Sequence, residues 1–213
     1  ELRGSVFGRR VDLRRQLVHD VGRFGHPSFW AAIEPFLKDP DRGVRAEAAA
    51  AFEQLGAPES VKALRAAFGK EDAADVRKNL VRALGTAGLA DRVVRQQLAK
   101  SARSEKDPFV RRNALIALAQ TADAEVAREV LVEALEGKDA DLARAAALGI
   151  AYARRGELRD AVAKAQEARG LDDELYARVL AVLDGANLET LLGDFRGVAG
   201  DEIVRERFFA PAR

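Results

Sequence analysis

Apolar residues recur along this chain four positions apart, in blocks that repeat about every 32 residues. Leu13, Val44, Val76, Val110, Leu142 and Leu175 each open such a block, and the steps between them are 31, 32, 34, 32 and 33 residues. Each of these markers is followed at +4 and +8 by further apolar side chains, such as Ala48 and Phe52 after Val44, or Leu80 and Leu84 after Val76. Residues spaced in this way share one face of an α-helix.

A second set of apolar runs alternates with the first. It comprises Phe29, Ala32, Ile33, Phe36 and Leu37, then Val61, Leu64 and Phe68, then Val93, Val94 and Leu98. Val126, Val130, Leu131 and Leu135 follow, and finally Leu158, Val162 and Ala165. Breaks separate the runs: Gly56-Ala57-Pro58 is a stop followed by a start, and Asp107-Pro108 pairs a capping residue with a proline suited to a first helical turn. Gly25-His26-Pro27-Ser28 and Gly137-Lys138-Asp139 read the same way. Strand signals are nearly absent, and alanine, the strongest helix former, is abundant. One helical hairpin cannot bury its own apolar face, whereas a stack of hairpins builds a continuous core. The expected fold is therefore all-α, an α-α superhelix (solenoid) of about five to six hairpins over residues 1–192, with a cap or tail at 193–213. The second helices are expected to start near residues 11, 42, 74, 108, 140 and 173.

The markers sit in a recurring phrase. Asp41-Arg42-Gly43-Val44-Arg45 runs on to Ala48 and Leu55-Gly56, and Asp107-Pro108-Phe109-Val110-Arg111 runs on to Ala114 and Leu118. Asp75-Val76-Arg77 and Asp141-Leu142 with Arg144 are further copies, and Asp12-Leu13-Arg14 is a weaker one. The phrase resembles the second helix of a HEAT repeat. The units are shorter than the ~40–47 residues common in that class, and are similar to the compact HEAT-like repeats of bacterial proteins, including the phycobilisome-lyase type. The signatures of tetratricopeptide and ankyrin repeats, which have similar periods, do not occur.

The resemblance implies a ladder of Asp and Arg between neighbouring repeats. Its acids would be Asp12, Asp41, Asp75, Asp107 and Asp141, and its bases Arg14, Arg45, Arg77 and Arg111. The fifth copy has Ala143 at the arginine position and the sixth Tyr176, so the ladder is expected to weaken toward the C-terminus. If the family's helix order holds, the helix near residues 10–24 is a second helix without its first. The absence of methionine and the start at Glu1 add to the expectation of a piece of a longer chain with other domains.

Composition narrows the function. Lys+Arg total 35 and Asp+Glu 34, a balance unlike that of proteins that coat nucleic acid. The charge is uneven: residues 1–120 hold 22 basic and 15 acidic side chains, and residues 121–213 hold 13 and 19. Such asymmetry steers partners. Without cysteine there is no disulfide and no thiolate site, which fits a cytoplasmic protein. No apolar run nears the ~18 residues that span a membrane. The two histidines, His19 and His26, are not followed by glutamate, so the His-Glu iron motifs of HEAT-like deoxyhypusine hydroxylase cannot be built. Aromatic platforms of the kind that stack bases are scarce, with Trp30 and Tyr176 the ones that stand out. No catalytic residue, metal site or cofactor is expected, and the chain is read as non-enzymatic.

In the HEAT family the second helices line the concave side. The position two past each marker lies about 200° around the helix from it. Four of the six such positions are basic: Arg15, Lys78, Arg112 and Arg144. Adjacent positions add Asn79, Arg82, Asn113, Ile116 and Leu148. The expectation is a scaffold or adaptor whose concave face takes a protein partner, an acidic peptide or helix. The alternatives are a nucleic-acid-binding protein of the HEAT-like DNA-glycosylase kind and a subunit of a bilin-lyase-like enzyme. In the tail, Gly193, Gly197 and Gly200 precede an amphipathic stretch ending in Phe208-Phe209, expected to cap the last repeat or to dock on a partner.

Overall fold

In a computed structural model, residues 10–121, 124–169, 174–191 and 194 are described. The tail glycines and Phe208-Phe209 lie outside these residues. Among the described residues the regular structure is entirely helical. Six second helices, α1 (Val11–Phe24), α3 (Arg42–Leu55), α5 (Ala74–Ala87), α7 (Pro108–Ala119), α9 (Ala140–Tyr152) and α11 (Glu174–Leu183), carry the markers. Five first helices alternate with them: α2 (Trp30–Ile33, flanked by 3₁₀ turns), α4 (Val61–Phe68), α6 (Arg92–Ser104), α8 (Ala124–Glu136) and α10 (Arg159–Arg169). The fold class is the all-α, HEAT-like solenoid class. The chain divides into two compact units, Glu1–Val94 and Arg95–Arg213.

Local chemistry sets the helix ends. Asp41 begins α3 by accepting from the Val44 N–H at 2.9 Å, and Asp107 begins α7 by accepting from Phe109 and Val110. Asp139 does the same for α9 through Leu142 N–H. Gly56 closes α3 at φ 57°, a left-handed conformation that suits glycine, with its N–H on the Phe52 carbonyl at 3.0 Å.

In the first unit the core lies between α3 and α5 and the first helices that cover them. Val44, Ala48 and Phe52 are fully buried, as are Leu80 and Leu84, against Ile33, Phe36, Leu37 and Leu64. Second helices also pack on one another, α1 on α3 and α3 on α5. Small residues permit this: a Cβ on Gly22 would lie 2.8 Å from the Ala51 Cβ and 2.9 Å from its Cα. In the second unit α7 packs on α9 and α9 on α11, through a face in which Ala143, Ala145, Ala146 and Ala147 are all buried. Short side chains there let backbones approach while still removing apolar area from water.

Candidate partner-binding surface

The scaffold of the surface is held by arginines one residue past the markers. Arg14 grips Asp39 with two parallel hydrogen bonds, 2.8 and 2.9 Å, and both side chains are nearly fully buried. Arg45 donates to the carbonyl of that same Asp39 at 2.9 Å and to the Glu71 carboxylate at 2.7 Å. Arg77 donates to the Glu71 carbonyl at 2.7 Å and to the Phe68 carbonyl, with its guanidinium 4.0 Å above the Phe68 ring. Each acid also accepts a backbone N–H two residues on, Asp41 for Asp39 and Ala73 for Glu71. The result is a continuous run, Arg14–Asp39–Arg45–Glu71–Arg77, that ties the loops before α3 and α5 to the helices on either side.

This corrects the expected ladder. The arginines are those anticipated, but their acids are Asp39 and Glu71, both five residues before a marker. Asp41 and Asp107 are occupied with helix capping. Asp75 and Asp141 pair with other arginines: Asp75 with Arg42 at 2.8 Å, and Asp141 with Arg112. Asp12 pairs with Arg10 on the exposed start of its own helix. Burial raises the Glu71 carboxyl, but the hydrogen bonds from Arg45 and from the Ala73 N–H outweigh it and hold the group below the usual carboxylate range. For Arg14, the hydrogen bond to Asp39 outweighs burial and pushes the guanidinium up.

Arginines take a different part in the second unit. Arg111 donates to the Ala102 carbonyl at the end of α6. Arg155 donates to the Ala119 carbonyl at the end of α7 at 2.6 Å and to the Thr121 carbonyl just past it, and Arg169 donates to the Leu135 and Gly137 carbonyls at the end of α8, both at 2.6 Å. Carbonyls left over at helix ends need such donors, and a cation there also suits the helix dipole. The run of paired side chains gives way to helix-end capping already at Arg111, one copy before Ala143 takes the arginine position.

The nine residues expected on the partner face separate into two groups. Arg15 is exposed, Lys78 and Arg144 are half-buried, and the Arg112 side chain is only 14% exposed. Arg112 is held by Asp141 and by stacking 4.9 Å from the Phe109 ring, which is itself 40% exposed. The other five are buried between helices and face no groove. Asn79 donates to the Ala46 carbonyl of α3 at 3.0 Å, and Arg82 donates to Glu53 at 3.1 Å. Asn113 donates to the Phe109 carbonyl at 2.8 Å, while Ile116 and Leu148 are 1% and 0% exposed. The reason is angular. In α5, α7 and α9 a flanking second helix buries the positions three and six past the marker, while the position two past it stays at least partly exposed. His19, six past its marker, likewise sits 2.9 Å from Glu47 of α3. His26 caps a 3₁₀ turn beside Ser28. Trp30 is half-buried and Tyr176 fully buried, so neither ring lies open.

Asp39, Glu71, Glu53 and Asp139 were missed from sequence. A signal existed for the first two, since both stand at the same offset from consecutive markers. Asp139 stands three before Leu142, as Asp41 and Asp107 stand before Val44 and Val110. Apart from the cationic positions, the second unit has an open cavity of about 420 Å³ on its first helices, lined by Gln96, Ala99, Lys100, Arg103, Ser104 and Val126. Arg103 bridges from its rim to Glu129 and Glu133, each at 2.8 Å.

Comparison with known proteins agrees with the geometry. No curated protein matches the chain. Among solved structures, the chain is similar to one described as the complex of CpcE and CpcF of phycocyanin lyase from Nostoc sp. PCC7120. The TM-score is 0.53 and the identity 22%, over 81% of this chain and 73% of that one. The family model for HEAT repeats matches twice, over residues 9–85 and 70–151. These matches span well over half of the sequence and coincide with the helices bound by the arginine run, and the chain belongs to the HEAT-repeat family.

Proposed function

We propose that this chain is a non-enzymatic, cytoplasmic scaffold or adaptor that holds an acidic peptide or helix of a protein partner. The observation that carries the reading is a shared register. In each unit, cations stand at the second-helix position two past the marker: Arg15 and Lys78 in the first, and Arg144 with the largely buried Arg112 in the second. Within each unit these side chains stand on helices whose spacing is fixed by buried contacts, which preorganises them for carboxylates. HEAT-repeat proteins bind protein partners, and the solved structure it is similar to is itself a complex of two proteins. No helix among the described residues is long and apolar enough to cross a membrane.

The test is reversal of charge. Arg15→Glu with Lys78→Glu, and separately Arg144→Glu, should each weaken capture of an acidic partner by at least about tenfold, a loss of about 1.4 kcal/mol. Undiminished capture would remove these residues from the interface. A second reading, a subunit of a bilin-lyase-like enzyme, is favoured only by the fold likeness to the phycocyanin lyase complex. Co-expression with a phycobiliprotein and its bilin decides it: pigment attachment that depends on this chain would establish the enzyme.

A further inference from the structure

The arginine run of the first unit is built from one repeated seat for a carboxylate. In each copy an arginine one past a marker donates to an acid five before the next marker, and the N–H two residues past that acid donates to it as well. Arg14 and the Asp41 N–H hold Asp39, and Arg45 and the Ala73 N–H hold Glu71. The second unit repeats the seat without the acid. Arg111 stands one past Val110, and the residue five before Leu142 is Gly137.

The rest of the seat is kept. Asp139 has φ −78° and ψ 104°, close to the −81° and 125° of Asp41 and the −75° and 121° of Ala73. Its carboxylate caps the Leu142 N–H as that of Asp41 caps the Val44 N–H. The Gly137 carbonyl accepts from Arg169, as the Asp39 carbonyl accepts from Arg45 and the Glu71 carbonyl from Arg77. Arg112, the neighbour of Arg111, reaches Asp141 in the first turn of α9, so the starts of α7 and α9 lie within one side chain of each other.

The donors of this third seat are left over. Arg111 is half-buried, donates through Nε to the Ala102 carbonyl, and makes no ion pair among the described residues. The Asp139 N–H has no acceptor among them. Lys138, between Gly137 and Asp139, is exposed and adds a second cation with no partner among the described residues. The acids nearby in sequence are engaged elsewhere. Asp107 and Asp139 cap helices, Asp141 holds Arg112, Glu133 bridges to Arg103 and Glu136 to Lys164. Space is open at the glycine: a Cβ there would meet only the Glu133 and Ala134 carbonyl oxygens of α8, at 3.2 and 3.4 Å.

We propose that Arg111 and the Asp139 N–H seat a carboxylate supplied by the partner, an Asp or Glu side chain of its acidic segment. It takes the place that Asp39 and Glu71 take in the first unit. The two terminal amino groups of a planar guanidinium, with one backbone N–H beside them, match the two oxygens of a carboxylate. The inference deepens the reading of an acidic partner and rests on it, while placing the anchor one residue along α7 from the cationic position and in the loop before α9.

Two measurements test it. The first needs no partner. Gly137→Asp supplies the acid within the chain, so it should melt higher than Gly137→Asn, and Arg111→Gln should remove that gain. The second titrates a fluorescein-labelled octaglutamate peptide against the whole chain by anisotropy at low salt, with octaglutamine as control. Saturable binding is expected for octaglutamate only. Gly137→Asp and Arg111→Gln should each weaken it at least tenfold, and Gly137→Asn should leave it in place. No gain in melting temperature overturns the seat. A gain without peptide binding to the unsubstituted chain overturns the proposal through the acidic-partner reading on which it rests. Equal binding by Gly137→Asp and the parent overturns it directly. Displacement of the peptide by an equal concentration of inorganic phosphate does so too, by making a free anion the occupant. Binding lost with Lys78→Glu and kept with Gly137→Asp leaves the cationic positions standing and removes this seat.

Discussion

Arg45 and Glu71 meet at 2.7 Å across the step from one repeat to the next, and the same arginine donates to the Asp39 carbonyl of its own repeat. One guanidinium thereby fixes two loops. Planarity and five donors make this possible, and a lysine has neither. Arg45→Lys should lower stability by about 1–2 kcal/mol, nearly as much as Arg45→Ala, because the forked geometry is what is lost. Denaturant melts of both variants provide the check, and a lysine variant as stable as the parent would show that charge alone suffices.

Acid should loosen the first unit through Glu71. Its carboxyl is lower in the folded protein than in the unfolded chain. The unfolded state therefore takes up protons more readily as pH falls, and the stabilisation present at neutral pH disappears as pH drops from about 4.5 through the folded value. Glu71→Gln should lower stability at pH 7 and flatten the dependence between about pH 5 and 3. Melting temperature against pH for the two proteins would reveal this, and parallel curves would contradict it.

Arg82 and Glu53 form an ion pair between α3 and α5 with side chains 2% and 8% exposed, and the second Glu53 oxygen is buried without a hydrogen-bond partner. Desolvation offsets much of the attraction in such a pair. Truncating one member, as in Glu53→Ala, should cost about 3–5 kcal/mol by stranding the other charge. Replacing both, Glu53→Leu with Arg82→Met, should come close to the parent or exceed it. A double-mutant cycle by chemical denaturation measures the coupling.

Gly22 marks the closest approach of α1 to α3. Its Cβ would overlap both the Cα and the Cβ of Ala51, and backbone cannot yield as a flexible side chain can. Gly22→Ala should destabilise by about 1–3 kcal/mol, despite the better helix propensity of alanine. A rise in melting temperature would show that the two helices can slide apart freely.

Asp139, which sequence reading passed over in favour of Asp141, caps α9 through the Leu142 N–H at 3.1 Å. Asp139→Ala should cost about 1 kcal/mol, and Asp141→Ala less, since the latter side chain is 60% exposed in its pair with Arg112. The two melting temperatures decide the order.

The period of apolar residues determined the fold class, because helix formation and the need to cover one apolar face are local and depend only on residue type and spacing. Val44, Ala48 and Phe52 announced both the helix and the side of it that is buried. Asp107 and Gly56 announced where helices begin and end, since a cap acts within four residues of itself, whereas Asp41, expected in the ladder, proved to be a cap as well. The resemblance to the HEAT-repeat phrase pointed to the arginines at 14, 45, 77 and 111. It could not assign their partners, because several acids lie within reach in sequence and loop geometry alone selects Asp39 and Glu71. Nor could a single helix show that Asn79, Arg82, Ile116 and Leu148 are covered. Seen alone, each lies away from the marker, on a side that looks open. A second helix alongside turns that side into core, while Arg15, Lys78 and Arg144 keep solvent contact and Arg112 is largely buried. Leu13, Leu17, Val21 and Phe24 likewise have the spacing of buried residues, and only the tertiary structure shows the first three half-buried and Phe24 68% exposed.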